Sequence, residues 1–266
     1  MTRRLAAALE AARPFPSLLA GAVVALVALV ADAPPAKAVA LGLSMTLLQA
    51  SAGVLEGPLT VRLVAGVATV GGIVFALAGG PSLVALALAV LGVAAWGAPR
   101  TRGTTLSWLP AAITVPLLPV YGWLGAAGTL PAVFVVLVPA AANAGAALAI
   151  AGAVNDVRRD EAAGIGSIAV SLGARRAAWI VLGLQLVVGA LAVGTAAVLS
   201  APAGWLAAVV LGAATPAVGA GLGVAGATRD AGTLRELGWE VQAVGTGLLS
   251  VAWLGALSAT GGGPGL

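Results

Sequence analysis

A chain of 266 residues that is 61% hydrophobic and 8% charged, with a mean hydropathy of +1.09, is too apolar for a water-soluble globular domain. The absence of Cys and His excludes disulfides, thiolate catalysis, haem attachment and ordinary zinc sites. The net charge of +4 would suit a nucleic-acid partner only if the basic residues were clustered for it, and their distribution points to membrane topology instead.

Apolar runs of about 18 residues or more read as membrane spans. Nine are expected, at residues 15–31, 38–56, 62–79, 82–98, 105–125, 131–154, 177–199, 204–226 and 241–259. Helices are the expected element, because the runs are too long and too uniformly apolar for barrel strands. Together they fill nearly the whole sequence, so residues 1–266 are expected to form a single all-α, polytopic, integral membrane domain.

The tail before span 1 carries Arg3, Arg4 and Arg13 ahead of an apolar run, as a signal peptide would. No small-residue cleavage site ends that run, so it is read as a first span. On a nine-span path these three, Arg62, Arg100, Arg102, Arg158, Arg159, Arg175, Arg176, Arg229 and Arg235 lie on one side, and only Lys37 on the other. The positive-inside rule makes that side cytoplasmic. The chain is thus expected to be multi-pass in the cell (cytoplasmic) membrane, with the N-terminus and the loops after spans 2, 4, 6 and 8 inside. Basic excess of this kind implies no nucleic-acid partner, and nothing implies an obligate protein partner.

Of the acidic residues, Asp32 alone falls outside; Glu10, Glu56, Asp156, Asp160, Glu161, Asp230, Glu236 and Glu240 share the basic side. One polar face suits an interfacial enzyme better than a small-solute transporter, which more often carries charge near the midplane. The 38 glycines predict close helix packing. Pro110, Pro116 and Pro119 predict a kinked span 5, and Pro139 and Pro216 predict bends in spans 6 and 8. In span 5, Trp108, Tyr121 and Trp123 read as interfacial or packing aromatics, with cation-stabilising walls as the alternative. Asn143 in span 6 reads as a hydrogen-bonding partner for a neighbouring helix, and Asp230, Glu236 and Glu240 as a solvated amphipathic connector after span 8.

The densest chemistry follows span 6, in Asn155-Asp156-Val157-Arg158-Arg159-Asp160-Glu161-Ala162-Ala163-Gly164-Ile165-Gly166-Ser167. Asp156 and Asp160 are four apart and share a helix face. From the residues alone the pair is either an oxygen-ligand site for a divalent cation such as magnesium or a solvated helix end paired with Arg159.

The spacing Asp156-x-x-x-Asp160-x-x-x-Gly164-x-x-Ser167, followed by Leu172-Gly173, resembles the second aspartate motif of the UbiA superfamily of intramembrane prenyltransferases. The segment from Thr104 to Pro110, with Pro116-Leu117-Leu118-Pro119, is similar to the start of helix 5 in bacterial members. The resemblance implies transfer of a prenyl group from a prenyl diphosphate to an aromatic or other lipophilic acceptor. It also implies Mg2+ held by two aspartate-rich motifs, arginines on the phosphate oxygens and a dry cavity around the allylic cation. Carried onto this sequence, it makes Asp156 and Asp160 catalytic metal ligands and Arg100, Arg102 and Arg159 diphosphate contacts.

Two places depart from that pattern. Where the first motif should end span 2, the chain from Gln49 to Arg62 has Glu56 as its one carboxylate, with Thr60 where an Asp would stand. Glu56 is therefore the remaining candidate metal ligand there, and Pro58 interrupts the helix that would present it. Before span 5 the usual Tyr and Lys are replaced by Trp96, Arg100 and Arg102. The alternative is accordingly a member that has lost catalysis and binds an isoprenoid or a partner. A phosphatidyl-alcohol transferase is excluded, because its D-G-x-x-A-R core is absent.

Overall fold

A computed structural model describes residues 14–52, 59–101 and 103–260. Among the described residues ten α-helices follow one another: α1 (Pro14–Val30), α2 (Pro35–Ala52), α3 (Leu59–Ala76), α4 (Pro81–Thr101), α5 (Leu109–Ala127), α6 (Phe134–Ala162), α7 (Ile168–Leu172), α8 (Ala174–Val198), α9 (Ala203–Arg229) and α10 (Gly232–Ala259). A 3-10 turn at Leu77–Gly79 joins α3 to α4. All but α7 correspond to the nine expected spans. By length and composition, six are long and apolar enough to cross a bilayer. Their outward faces are apolar: Val67, Val135 and Val198 are 75%, 77% and 83% exposed, a placement that suits lipid as the solvent. The protein is an all-helical, polytopic membrane bundle.

The chain divides into two compact units. The first comprises residues 1–96 and 117–130, and therefore α1 to α3, most of α4 and the second half of α5. Its core gathers Val24, Leu41, Met45, Leu48, Leu83 and Tyr121. Helices α1 and α2 meet through glycine: a Cβ on Gly21 would stand 2.6 Å from the Gly42 carbonyl oxygen, and one on Gly42 2.8 Å from that of Gly21. Without a hydrophobic drive between helices in lipid, such backbone-to-backbone packing is what holds them. Three helices of this unit share one polar contact. Ser44 donates to the Gly72 carbonyl at 2.6 Å and lies 2.6 Å from the Tyr121 hydroxyl, which leaves Tyr121 as donor in the second bond.

The second unit comprises residues 97–116 and 131–266. Its core is built from small residues (Ala147, Ala151, Ala177, Ala178 and Ala220) with Ile150, Val154, Val157 and Val181. A Cβ on Gly145 of α6 would come within 2.3 Å of the Ala111 carbonyl oxygen on α5. Between α9 and α10, Gly219 and Gly238 each face the other's carbonyl oxygen at 2.6 Å from an added Cβ.

Two expectations need correction. Of Asp230, Glu236 and Glu240 only Asp230 lies in the connection: α10 starts at Gly232, well before the expected 241, runs 28 residues and carries both glutamates. Glu236 and Glu240 are exposed on this helix while Arg235 is buried. Only Asp230 and Ala231 separate α9 from α10, because Asp230 adopts the left-handed conformation (φ 54°) that stops a helix within one residue. A short helix, α7, occupies what reads in the sequence as loop.

Candidate functional site at the end of helix α6

Helix α6 has 29 residues, so at 1.5 Å per residue it is about 44 Å long against a hydrocarbon core of about 30 Å. Its last turns reach past the apolar layer, and there it carries its charge. Val154 and Val157 are the last buried residues on it. Asp156 is exposed and Asp160 partly so. Asp156 Oδ1 lies 3.5 Å from Arg159 Nη1, so Asp156 and Arg159 are held together at the helix end.

The backbone explains the residues that follow. Ala163 N–H donates to Arg159 O at 3.0 Å, Gly164 N–H to Glu161 O at 3.2 Å and Ile165 N–H to Asp160 O at 2.8 Å. This is a Schellman closure, in which the residue after the cap is left-handed and is usually glycine. Gly164 has φ 67°. The chain then extends to Ser167, which is buried and heads α7; the Ser171 N–H donates to its carbonyl at 3.0 Å. Ser167 Oγ has no hydrogen-bond partner among the described residues. Gly173 (φ 80°) turns the chain into α8.

The loop after α4 adjoins this one. A Cβ on Gly166 would be 3.2 Å from Gly103 O, and one on Gly103 3.8 Å from Ile165 Cγ2. Arg100 sits three residues before Gly103, exposed in the last turn of α4. The Thr104 segment is a hydrogen-bonded lead into α5: Thr104 Oγ1 donates to Thr101 O at 2.8 Å and accepts from Leu106 N–H at 3.2 Å.

Of the expected site residues, Asp156, Asp160 and Arg159 share one helix end, and Arg100 precedes the loop that touches the loop after it. Glu56 and Arg102 lie outside the described residues. No group of three or more His, Cys, Asp or Glu close enough to hold a metal occurs among the described residues. The two carboxylates nevertheless suit magnesium, which is commonly held by one or two carboxylates with water and substrate phosphates completing the shell.

The sequence reading missed an ionic chain nearby. Asp230 Oδ2 contacts Arg158 Nη2, and Asp230 Oδ1 lies 3.3 Å from Nη1 of the buried Arg235. Its signal was available: Arg235, Gly238, Gln242 and Gly245 recur at three- and four-residue intervals, the period of a packed helix face. Arg235 and Gln242 also line a small cavity with Val154 and Val181, which has no room for a prenyl chain.

These features define a polytopic helical membrane protein with a carboxylate pair at the interfacial end of its longest helix. No family model and no curated protein matches the sequence. Solved structures match it over most of its length, among them the following two. The structure of a UbiA homologue from Aeropyrum pernix K1 has a TM-score of 0.67 and 17% identity, covering 88% of this chain and 96% of that one. The structure of digeranylgeranylglyceryl phosphate synthase in membranes has a TM-score of 0.65 and 11% identity, covering 96% and 99%. The chain therefore shares the fold of these two structures, the fold that the resemblance of its aspartate motif implied.

Proposed function

We propose that this protein is a prenyltransferase of UbiA type, a single integral membrane domain that moves a prenyl group from a prenyl diphosphate to a lipophilic acceptor at the cytoplasmic face of the cell membrane. The observation that carries the reading is the acid pair on the closed end of α6, in a chain with that fold.

In this reading Asp156 and Asp160 would hold Mg2+, with Glu56 as a further ligand, and the bound ion would supply Lewis-acid charge to the leaving diphosphate. Arg100, Arg102 and Arg159 donate charge-assisted bonds to the phosphate oxygens, Arg159 exchanging its contact with Asp156 for the substrate. The allylic C–O bond breaks heterolytically, diphosphate leaves with the bonding pair, and the acceptor attacks the allylic carbon and loses a proton. The chemistry would need a dry apolar surround to keep water from the allylic cation.

The test is release of diphosphate from labelled prenyl diphosphates of graded length by the purified protein in nanodiscs with Mg2+. Asp156→Ala or Asp160→Ala is expected to lower turnover by about 10²–10³-fold, the scale of losing one electrostatic stabiliser. Unchanged turnover in both variants would refute the assignment. A second reading, a member that binds an isoprenoid diphosphate without turning it over, is favoured by the single carboxylate between Gln49 and Arg62. It predicts saturable binding and no release at any chain length.

A further inference from the structure

From Arg158 to Gly166 no residue is buried. Apolar packing holds α6 as far as Val157 and then stops, yet the second carboxylate of the pair lies three residues further on. Beyond Val157 the last turn is held by its own backbone hydrogen bonds and by side-chain contacts, and a contact on one side of it can steady the direction in which it presents its acids.

The contacts of Asp230 supply it. Arg235 is buried and rests over Gly226, where a Cβ would meet Arg235 Cγ at 2.7 Å and its backbone nitrogen at 2.8 Å. Its Nη1 is 3.3 Å from Asp230 Oδ1. The Asp230 backbone is itself held, left-handed at φ 54°, with the next N–H (Ala231) donating to Gly226 O at 2.9 Å. One carboxylate oxygen is thus anchored to a buried cation on α10, and the other contacts Arg158 on α6. A partner oriented in advance avoids much of the side-chain entropy that makes exposed ion pairs weak.

Helical geometry gives the tether its meaning. At about 100° per residue, Arg158 lies about 200° around the helix from Asp156 and from Asp160, on the far side from the pair. Holding Arg158 against the α9–α10 turn points both acids away from that turn. We infer that Asp230 is a positioning residue: through Arg158 it sets the azimuth of the α6 end and so aims Asp156 and Asp160 at their cation. This rests on the proposed transferase reading for the role of the pair, while the tether is testable without it.

The first measurement is amide hydrogen exchange over residues 158–163 in the metal-free protein in nanodiscs. Asp230→Asn keeps a side chain that tolerates the left-handed backbone, and Arg158→Gln leaves the α9–α10 turn untouched. Each is expected to speed exchange by about two- to fivefold, the scale of one ion pair, and the double variant by no more than either alone. The second is the Mg2+ dependence of diphosphate release. Both variants should raise the half-saturating Mg2+ while turnover at saturating Mg2+ falls less, and Asp230→Glu should recover part of the loss. Unchanged exchange in both single variants, or additive effects in the double, would overturn the tether. Faster exchange with unaltered Mg2+ dependence in an active enzyme would overturn the positioning role. If the wild-type protein releases no diphosphate, the transferase reading fails, and the exchange result still decides the tether.

Discussion

Gly164→Ala isolates one physical quantity at the site. Gly164 holds φ 67° and a Cβ there would meet nothing within 4 Å, so alanine adds no clash and its cost is conformational alone. A left-handed residue other than glycine costs about 1–2 kcal/mol, a factor of about 5–30 in an equilibrium. That cost falls on the closure of α6, where Ile165 N–H bonds Asp160 O and Ala163 N–H bonds Arg159 O. Amide exchange at residues 160–165 should rise by that factor, while exchange in the buried middle of α6 stays constant. Gly164→Asn should recover most of the protection, since Asn enters the left-handed region at lower cost. If Ala exchanges like glycine, or Asn is as damaging as Ala, the helix end is not held by the backbone conformation and the account of the motif fails.

Tyr121→Phe removes one donor from the Ser44–Tyr121–Gly72 contact and should cost about 0.5–1.5 kcal/mol in thermal or denaturant unfolding. Ser44→Ala should cost more, about 1–3 kcal/mol, because it strands the buried Tyr121 hydroxyl, and the double variant should fall well short of the sum. Gly145→Ala should destabilise by about 1–3 kcal/mol through overpacking against Ala111 O, 2.3 Å from the new Cβ. Gly183→Ala, mid-helix in α8 with nothing within 4 Å, should instead gain about 0.5–1 kcal/mol, so equal signs in these two variants would contradict the packing. Gln185 is buried with neither amide atom partnered among the described residues, so Gln185→Leu should stabilise by about 1–3 kcal/mol; a loss would mean that ordered water satisfies the amide.

The long helices were legible because a bilayer permits few alternatives: an apolar run must satisfy its own backbone, and it does so as a helix. Span 1 was read as 15–31 and is Pro14–Val30. Hydropathy failed where charge and helix coincide. The first turns of α10 carry Arg235, Glu236 and Glu240, and a sliding window averages them into a loop, although the spacing of Arg235 and Gln242 is helical. Helix α7 is five residues long, shorter than any window can register. Tyr121 read as packing or belt and is fully buried, but its bond to Ser44 joins residues 77 apart in sequence, a separation no local pattern encodes. The same holds for Arg158 and Asp230, whose pairing depends on how α9 ends.

The aspartate motif combines two kinds of information. The four-residue interval between Asp156 and Asp160 is chemical, since it puts two oxygen donors on one face. The interval from Asp160 to Gly164 is architectural. The Asp160 carbonyl accepts the closing bond from Ile165, so the left-handed residue must fall four positions after it, whatever the acids do. Ser167 marks the start of α7 and contributes no side-chain cap, so its interval records where the next helix begins. Half of the pattern is therefore what any chain needs to stop a helix one turn beyond a carboxylate. What the Gly and Ser intervals add is placement: they fix the second acid in the terminal turn of a helix about 44 Å long, where it meets the interface rather than the apolar layer. A chain could keep those intervals and lose either acid without disturbing the fold, so under the proposed function the carboxylates, and not the glycine, are where loss of catalysis would show.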